Sequence, residues 1–334
     1  MEFDVAFYEV FAEEAALLRK YLPKRYRYFF TAKSIQDTET GHLPAPIIST
    51  RTQSLIPRKW ADQLSAIFTR STGFDHLTAY FRGVDHPLPA GYLPKYAARA
   101  VAEQAFLLML MFLRKMDRQR QAIRHFSRDG LTGSELRGKT LSIIGVGNIG
   151  SEIANIGSGM GMSLLGVDLR ERRELREAYG LEYVDLSRAT ARARILVCAL
   201  PLTDQTYRML NYRVLSGLSP GAILINIARG EITPPEDLLR LLKEEKLAGV
   251  GIDVYDQESV LGSSLRGEST EETLGKSERR TLQANRQLLE HPRVIATPHN
   301  AFNTSESTDR KSRQTAQNIQ AYLENGAFLT PLPE

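Results

Sequence analysis

The sequence predicts an α/β fold of two Rossmann-like or flavodoxin-like domains, each built on a parallel β-sheet, with a cleft between them. Short apolar runs alternate with helical runs in two series along the chain, and a long helical stretch separates the two series. The length of 334 residues is enough for two domains of ordinary size, each with a core of its own.

The first series occupies about the first hundred residues and predicts a small βα domain. Its β-like and helical runs are, in chain order, residues 3–8, 11–21, 26–31, 47–50, 57–64 and 66–69. Residues 96–126 then show helical periodicity, and we expect them to form one long helix that links the domains.

The second series begins after Gly130 and Gly133 and predicts a larger parallel sheet. Several of its strands are continuously apolar, as strands covered by helices on both faces must be. The predicted strands are residues 140–146, 163–167, 195–200, 222–227, 249–254 and 294–297, and the helices are 152–160, 172–179, 186–193 and 235–246.

Two further stretches complete the predicted organisation. Residues 259–283 are rich in Ser, Gly, Glu and Arg, and we expect a surface insertion without a core, close to the active-site rim. Residues 304–323 are helical and are expected to return to the first domain. The predicted domains are therefore 1–101 with 299–334, and 102–298.

Composition and charge argue against several classes of protein. The chain is 42% apolar and 25% charged, with a formal charge of +4. Residues 114–139 hold eight Lys or Arg against three Asp or Glu. They follow an apolar helical pattern and lack a series of aromatic residues that could stack on bases, so we expect a solvated helix face and no nucleic-acid partner.

Membrane, metal and secreted classes are also not expected. The longest apolar run, residues 105–113, is shorter than the roughly eighteen residues of a membrane span. The single cysteine, Cys198, cannot form an internal disulfide, and the acidic start does not look like a signal peptide, so we expect a cytoplasmic protein. No zinc or iron ligand spacing occurs, and no metal is predicted.

A predicted strand runs directly into a Gly-x-Gly-x-x-Gly segment and then into a helix. Gly145 permits the tight turn, Gly147 lets the backbone approach a pyrophosphate, and Gly150 allows the helix to pack closely on the strand. Asp168 ends the next strand 23 residues after Gly145, at the distance from which a carboxylate accepts hydrogen bonds from the adenosine ribose. This combination predicts a dinucleotide-binding domain of the Rossmann type.

The choice between the two nicotinamide cofactors depends on Asp168. Its carboxylate would repel the 2′-phosphate of NADP, and NAD is therefore the predicted cofactor. The nearby Arg170, Arg172 and Arg173 are the counterargument, because arginine accommodates that phosphate.

Polar residues close three of the apolar strands of the second series. They lie in residues 226–230, 253–258 and 297–301, and include Arg229, Glu258 and His299. Because ligands of open parallel sheets bind beyond the carboxyl ends of the strands, we expect these three side chains to converge near the nicotinamide. An arginine, a carboxylate and a histidine can together bind an anionic carbonyl compound and move a proton.

The order of these motifs resembles that of the D-isomer-specific 2-hydroxyacid dehydrogenases, particularly their D-lactate dehydrogenase-like branch. The motifs are Gly-x-Gly-x-x-Gly, an aspartate, Pro-Leu-Thr from position 201, Asn-x-Ala-Arg-Gly, Asp-Val-Tyr-x-x-Glu and Thr-Pro-His. In the first domain, residues 70–75 are similar to the family's substrate-carboxylate loop. Residues 93–96 and 100–103 resemble the segment that enters the linking helix.

The resemblance implies an NAD-dependent enzyme that interconverts a small, pyruvate-like 2-oxo acid and its D-2-hydroxy acid, and a homodimer. It makes Arg229 the clamp for the substrate carboxylate, His299 the acid/base and Glu258 its orienting partner. The implied cofactor residues are Gly145, Gly147, Asn148, Ile149, Gly150, Asp168, Leu200, Pro201, Thr206, Ile227, Ala228, Arg229, Asp253 and His299. The implied substrate residues are Thr72, Gly73, Phe74, Tyr96 and Arg229.

Two departures from the family pattern leave alternatives open. Glu258 and His299 are 41 residues apart, longer than in most of the family, and Gln104 stands where a histidine is common. Glu258 could therefore be a solvated acid. Alternative functions are a dehydrogenase of a functionalised acid, such as glycerate, hydroxypyruvate or phosphoglycerate, and a corepressor-like protein that senses NAD(H) without turnover. Retention of the Arg, Glu and His residues favours turnover.

Overall fold

The computed structural model of the protein describes residues 1–38, 42–85, 88–268 and 274–333. They form two compact units, residues 1–97 with 303–334 and residues 98–302. These boundaries lie four residues from the predicted ones, and they put His299 in the second unit.

The first unit is built on a parallel sheet. Its elements up to residue 97 are β1 (Val5–Phe7), α1 (Ala12–Tyr21), β2 (Tyr28–Phe30), β3 (Ile47–Thr50), a 3₁₀ helix (Arg58–Gln63), β4 (Ala66–Thr69), α2 (Asp75–Phe81) and β5 (Ala90–Gly91). The strand order is β2-β1-β3-β4-β5 and every pair is parallel. This is the order of flavodoxin-like sheets.

The second unit contains a longer parallel sheet. Its elements are α3 (Ala98–Leu113), α4 (Met116–Ala122), β6 (Thr140–Ile144), α5 (Asn148–Gly159), β7 (Ser163–Val167), α6 (Arg173–Tyr179), β8 (Glu182–Tyr183), α7 (Leu186–Arg192), β9 (Ile195–Cys198), α8 (Tyr212–Leu215), β10 (Ala222–Asn226), α9 (Pro235–Lys243), β11 (Leu247–Ile252), α10 (Glu258–Leu265), α11 (Lys276–Glu290) and β12 (Val294–Ala296). Two 3₁₀ helices, Ile123–His125 and Gly230–Ile232, complete it.

The strand order of this sheet decides where a ligand binds. The order is β12-β11-β10-β9-β6-β7-β8, and all pairs are parallel. The chain direction across the sheet reverses between β6 and β9, and ligands of doubly wound sheets bind beyond the carboxyl ends of strands at such a point. The predicted α/β fold with parallel sheets is confirmed.

The last helix, α12 (Ser305–Asn325), belongs to the first unit and packs on α1. The hydroxyl oxygen of Thr304 caps its start by accepting a hydrogen bond from the Ser307 amide at 3.1 Å. Gly326 ends it with a left-handed backbone. Among the described residues, no helix combines the length and the apolar character that a membrane span requires.

The predicted single helix over residues 96–126 is wrong. Helix α3 ends at Leu113, and Lys115 has a left-handed backbone with φ 52° before α4 begins. The Leu113 carbonyl accepts a hydrogen bond from the Ser134 amide at 2.9 Å. A segment twenty residues further along the chain therefore binds the helix end, and local periodicity contains no signal for such a contact.

The prediction that residues 259–283 contribute no core is also wrong. The described residues of this stretch lie largely in α10 and α11, while 269–273 are outside the described part. Leu261 and Leu282 are 3% and 2% exposed and belong to the apolar core of the second unit. Helix α11 packs on α9, and its few apolar residues suffice because they share one face.

Candidate active site

The glycine-rich loop follows β6 at the point where the strand order reverses. Gly145 has φ 95°, and a Cβ there would lie 2.7 Å from the Ala199 carbonyl oxygen. A Cβ on Gly150 would lie 2.1 Å from the Gly145 carbonyl oxygen, whereas one on Gly147 would meet nothing within 4 Å. Helix α5 begins directly after Gly147, so open space lies beside its amino terminus. This arrangement fits a pyrophosphate.

Asp168 lies beside the glycine-rich loop. Its two carboxylate oxygens accept hydrogen bonds from the Val146 amide at 2.6 Å and the Arg170 amide at 2.9 Å. These bonds fix the carboxylate at the carboxyl end of β7. Each carboxylate oxygen has a further lone pair, so the group can also accept hydrogen bonds from ribose hydroxyls.

The segment after β9 forms a closed turn. The Thr206 hydroxyl donates to the Pro201 carbonyl oxygen at 2.6 Å and accepts from the Thr203 amide at 2.8 Å. Leu200 is half-buried and Pro201 is exposed. The turn therefore holds both residues at the carboxyl end of β9, next to the glycine-rich loop.

The segment after β10 presents Arg229. The side-chain amide of Asn226 donates to the Arg229 carbonyl oxygen at 2.9 Å and to the Thr233 hydroxyl at 2.7 Å, and its oxygen accepts from the Ala228 amide at 3.0 Å. Asn226 is fully buried and Arg229 is half-buried. Three hydrogen bonds from one buried side chain thus fix the backbone on either side of the arginine.

Close backbone packing connects this segment to the next. A Cβ on Gly230 would lie 1.8 Å from the carbonyl carbon of Tyr255, so that only glycine fits there. Ile227 and Ala228 are buried beneath the same turn. The geometry of the Arg229 segment and that of the segment leading to Glu258 are therefore coupled.

Glu258 and His299 meet directly, although 41 residues separate them. The His299 Nδ1 atom lies 2.9 Å from each carboxylate oxygen of Glu258. The two side chains are 24% and 26% exposed. Glu258 begins α10, and His299 follows β12 with a left-handed backbone of φ 50°. Adjacent strands explain this contact, because β11 and β12 are neighbours in the sheet. The expected approach of Arg229, which follows the next strand β10, stays a prediction.

Asp253 holds the segment that contains His299. It is 1% exposed, and its carboxylate accepts hydrogen bonds from the Asn300 and Ala301 amides, each at 2.8 Å, and from the Thr297 hydroxyl. Burial raises the pKa of Asp253 above its ordinary value, while these hydrogen bonds oppose the rise. These contacts of Asp253 fix the backbone around His299. Its predicted contact with the cofactor stays a prediction.

Two side chains near His299 were not among the predicted site residues. The Tyr255 hydroxyl donates to the Thr297 carbonyl oxygen at 2.8 Å, and burial raises the pKa of Tyr255, so the hydroxyl keeps its proton. Gln104 of α3 lies 3.4 Å from the Thr297 hydroxyl. Tyr255 was visible in the Asp-Val-Tyr motif, but its partner across the sheet was not.

A second support comes from the stretch that was expected to be an insertion. The side-chain amide of Asn285, buried on α11, donates to the Asp256 carbonyl oxygen at 2.8 Å. The Asp256 carboxylate lies 3.8 Å from the guanidinium of Arg208. Both contacts fix the backbone two residues before Glu258. No sequence signal pointed to them.

The predicted substrate residues of the first unit lie in two joined segments. The Thr72 hydroxyl donates to the Leu93 carbonyl oxygen at 2.9 Å, and the Phe74 ring lies 5.1 Å from the Tyr92 ring. The Gly73 carbonyl oxygen accepts from the Ser71 hydroxyl at 2.7 Å. Tyr96 is 4% exposed. The structure thus brings Thr72, Gly73 and Phe74 next to the segment that leads to Tyr96.

Arg70, which precedes this loop, is fully buried. Its guanidinium donates to the Glu14 carboxylate at 2.9 Å and to the carbonyl oxygens of Tyr8 and Ser49 at the ends of two strands. The Lys311 ammonium of α12 lies 3.0 Å from the other Glu14 oxygen. We call Glu14, Arg70 and Lys311 the buried triad; each residue is 0% exposed.

Burial and charge act in opposite directions on the buried triad. Burial lowers the pKa of Lys311 to about 8, and the charge of Glu14 only partly opposes this. Burial alone would raise the pKa of Glu14, but Arg70, Lys311 and Arg51 together hold it below its ordinary value. Through its contacts with Glu14 and Ser49, Arg70 fixes the start of the predicted substrate loop from the core.

The described part of the chain contains neither a cluster of metal-binding side chains nor an exposed thiol. It contains no group of three or more His, Cys, Asp or Glu residues placed to hold a metal ion. Cys198 lies inside β9, where burial raises the pKa of its thiol to about 12. A thiol of that pKa is a poor nucleophile.

Comparisons with known proteins agree with this site. The family profile described as "D-isomer specific 2-hydroxyacid dehydrogenase, NAD binding domain" matches residues 106–301. The D-lactate dehydrogenase of Escherichia coli is 32% identical over 236 residues, which are 70% of this chain and 68% of that protein. A glyoxylate reductase of Thermofilum pendens is 30% identical over 273 residues, covering 79% of this chain and 73% of that protein.

A solved structure extends the similarity to the whole chain. The D-lactate dehydrogenase of Aquifex aeolicus, in complex with NAD and lactic acid, superposes with a TM-score of 0.84 at 27% identity, covering 99% of this chain and 100% of that one. The family profile matches well over half of the sequence, in agreement with the resemblance seen in the motifs. The protein belongs to the D-isomer-specific 2-hydroxyacid dehydrogenases, in their D-lactate dehydrogenase-like branch, and is an NAD-dependent enzyme.

Proposed function

We propose that the protein reduces a small, pyruvate-like 2-oxo acid to the D-2-hydroxy acid and catalyses the reverse reaction, with His299 as the acid/base. The observation that supports this most directly is the contact of His299 Nδ1 with both oxygens of Glu258 at 2.9 Å. A half-exposed imidazole held on one side by a carboxylate is the arrangement that general acid/base chemistry requires.

The role of each nitrogen follows from this contact. With Nδ1 facing Glu258, Nε2 is the nitrogen that can reach a substrate. The Glu258 carboxylate accepts a hydrogen bond from Nδ1 and thereby fixes the ring orientation. In reduction, His299 donates the Nε2 proton to the carbonyl oxygen as hydride reaches the carbonyl carbon. In oxidation, the neutral ring takes the hydroxyl proton.

Arg229 is proposed to bind the substrate carboxylate. Its planar guanidinium offers two parallel donors, which match the two oxygens of a carboxylate. The hydrogen bonds from Asn226 to the adjoining backbone support this role, because a clamp needs a fixed base. Thr72, Gly73, Phe74 and Tyr96 are proposed as further substrate residues on the family resemblance.

The residues present fit NAD, which supplies or accepts the hydride when bound. Open space at Gly147 and the adjacent start of α5 are suited to its pyrophosphate, and Asp168 to its ribose. The proposed cofactor residues, besides those three sites, are Gly145, Asn148, Ile149, Gly150, Leu200, Pro201, Thr206, Ile227, Ala228, Arg229, Asp253 and His299.

The test is NADH oxidation with a panel of 2-oxo acids, together with the configuration of the product. We expect pyruvate or a close homologue to give the highest kcat/KM and the D-2-hydroxy acid to accumulate. Highest activity with hydroxypyruvate or a phosphorylated substrate would move the assignment to the functionalised acids. Absence of turnover with every 2-oxo acid, combined with tight NADH binding, would favour a sensing protein.

The similarity to a glyoxylate reductase favours glyoxylate as a second candidate substrate. Glyoxylate lacks the methyl group of pyruvate, so it needs the same carboxylate clamp and the same acid but fills less apolar space. The ratio of kcat/KM for pyruvate and glyoxylate decides between them, because one methyl group in an apolar pocket changes this ratio by about tenfold or more.

We further propose that two copies of the chain associate through α3 and α4. Large apolar side chains are exposed there: Leu107 (51%), Met116 (43%), Ile123 (64%) and Phe126 (75%). Several exposed large apolar side chains within one stretch of the chain favour an association site there. Sedimentation should give the mass of a dimer, and I123S with F126S should give a monomer. A wild-type monomer at micromolar concentration would contradict this.

A further inference from the structure

Arg172 differs in its contacts from four of the arginines around it. Four neighbours pair with carboxylates at 2.7–3.0 Å: Arg173, Arg176, Arg188 and Arg192. Over the described ranges of the chain, no carboxylate oxygen lies within ion-pair distance of the Arg172 guanidinium. Its Nη1 donates instead to the Ser151 hydroxyl at 3.0 Å. The half-buried guanidinium of Arg172 therefore contacts an uncharged hydroxyl group where its neighbours contact carboxylates.

Ser151 connects Arg172 to the glycine-rich loop. It follows Gly150 in the first turn of α5, and its hydroxyl donates to the Gly147 carbonyl oxygen at 2.6 Å. Gly147 is the position at which a Cβ would meet nothing within 4 Å. The guanidinium is thus two hydrogen bonds away from the backbone at the open part of the loop.

The backbone of Arg172 is fixed as well. Its amide donates to the Tyr183 hydroxyl at 3.0 Å, and it directly precedes α6. Burial raises the pKa of Tyr183, so this hydroxyl stays neutral. Both ends of the Arg172 side chain are therefore positioned before any ligand binds.

The positive charges at the start of α5 and on Arg172 favour binding of an anion. The amino terminus of α5 carries partial positive charge, and the Arg172 guanidinium adds a second positive charge where it contacts Ser151 in the first turn of this helix. The carboxylate of Asp168, beside the loop, already accepts two backbone hydrogen bonds. A phosphate group would be attracted by the helix terminus and by the guanidinium together.

We propose that Arg172 binds a phosphate of the adenosine half of the dinucleotide. The proposal concerns the cofactor and does not depend on the substrate proposed above. The connection to Gly147 through Ser151 favours the pyrophosphate, which NAD and NADP share. The 2′-phosphate of NADP is the other source of the same chemistry, and Asp168 opposes it by charge repulsion.

The experiment measures Kd values by calorimetry or ligand fluorescence for NADH, NADPH, ADP-ribose and adenosine. For R172Q, which removes the charge but keeps a donor for Ser151, we expect about tenfold weaker binding of NADH and ADP-ribose and an unchanged Kd for adenosine. The matched control is R173A, because Arg173 is the next residue, is 89% exposed and pairs with Glu177. R173A should change each Kd by less than about twofold.

Salt provides a second readout. Raising the NaCl concentration should weaken NADH binding more in the wild type than in R172Q, because salt screens the contact between Arg172 and the phosphate and the variant lacks this contact. Weakening for NADPH alone would assign Arg172 to the 2′-phosphate and keep the proposal. Kd values within twofold of wild type for NADH, NADPH and ADP-ribose would overturn it. An equal loss for adenosine would also overturn it, because adenosine has no phosphate.

Discussion

Two charged clusters of this protein differ in their access to water, and the difference separates a structural role from a chemical one. The buried triad is 0% exposed and each member contacts at least one other, whereas Glu258 and His299 keep about a quarter of their side chains exposed. A buried charge that loses its partner destabilises the fold, so the members of the triad depend on one another. A half-exposed imidazole can exchange its proton with a substrate or with water.

The two clusters also differ in what they hold in place. Arg70 of the buried triad binds the carbonyl oxygens at the ends of two strands and precedes the loop that contains Thr72. Glu258 binds one side chain, His299, and leaves the other ring nitrogen for chemistry. Substitutions in the buried triad should therefore change stability first, and substitutions in the Glu258–His299 pair should change turnover first.

The largest effect is expected for His299→Gln. The variant keeps a polar side chain of similar reach but lacks the acid, and kcat should fall about 10²- to 10⁴-fold. Thermal unfolding should stay close to wild type, since about a quarter of the side chain is exposed. Residual kcat within about threefold of wild type would remove His299 from the mechanism.

Glu14→Gln should give the largest loss of stability. The substitution leaves Arg70 and Lys311 buried without a carboxylate, which costs about 3–5 kcal/mol in the free energy of unfolding. Urea unfolding measures this loss. The matched control is Glu13→Gln, because Glu13 is the exposed neighbour on α1 and should change stability by about 0.5 kcal/mol or less. Equal losses in the free energy of unfolding for both variants would show that Glu14 contributes no more to stability than an exposed glutamate.

A smaller effect on turnover is expected for Glu258→Gln. The amide can still contact Nδ1, but it no longer offers a negative charge to the imidazolium, and kcat should fall by about tenfold or more. KM should change less than kcat, because Glu258 is proposed to contact His299 and not the substrate. A kcat within twofold of wild type would show that Glu258 is a solvated acid without a part in the reaction, the alternative that the sequence left open.

The smallest effect is expected for Lys311→Met, and it depends on pH. The folded-state pKa of Lys311 is about 8, below its ordinary value of 10.5. Between these values the unfolded chain binds more protons than the folded chain, so this residue makes the free energy of unfolding rise with pH. The contribution is fully present above the ordinary pKa and is lost as pH falls through about 8.

Lys311→Met should remove that rise. Unfolding in urea at about pH 7 and about pH 9.5 measures it as the difference between wild type and variant, which cancels other titrating groups. At about pH 7 the variant should lie within about 2 kcal/mol of wild type, because Arg70 still neutralises Glu14. An identical pH dependence in both proteins would show that the Lys311 ammonium is not desolvated.

The local sequence determined much of the fold and part of the site. Continuous apolar runs identified most of the strands, because a strand covered on both faces must be apolar throughout. Gly145, Gly147 and Gly150 were recognisable because each meets a backbone requirement within ten residues. The contact between Glu258 and His299 could be expected because both residues follow strand ends, and parallel strands bring such ends together.

Tertiary structure decided the features that depend on contacts between distant residues. The end of α3 depends on Ser134, the backbone before Glu258 depends on Asn285, and the charge of Glu14 is balanced by a lysine nearly 300 residues away. No hydrophobic periodicity and no motif spacing in the sequence indicates these contacts. Sequence patterns report which face of an element is buried, whereas these partners are set by packing between elements, which the chain acquires only when it folds.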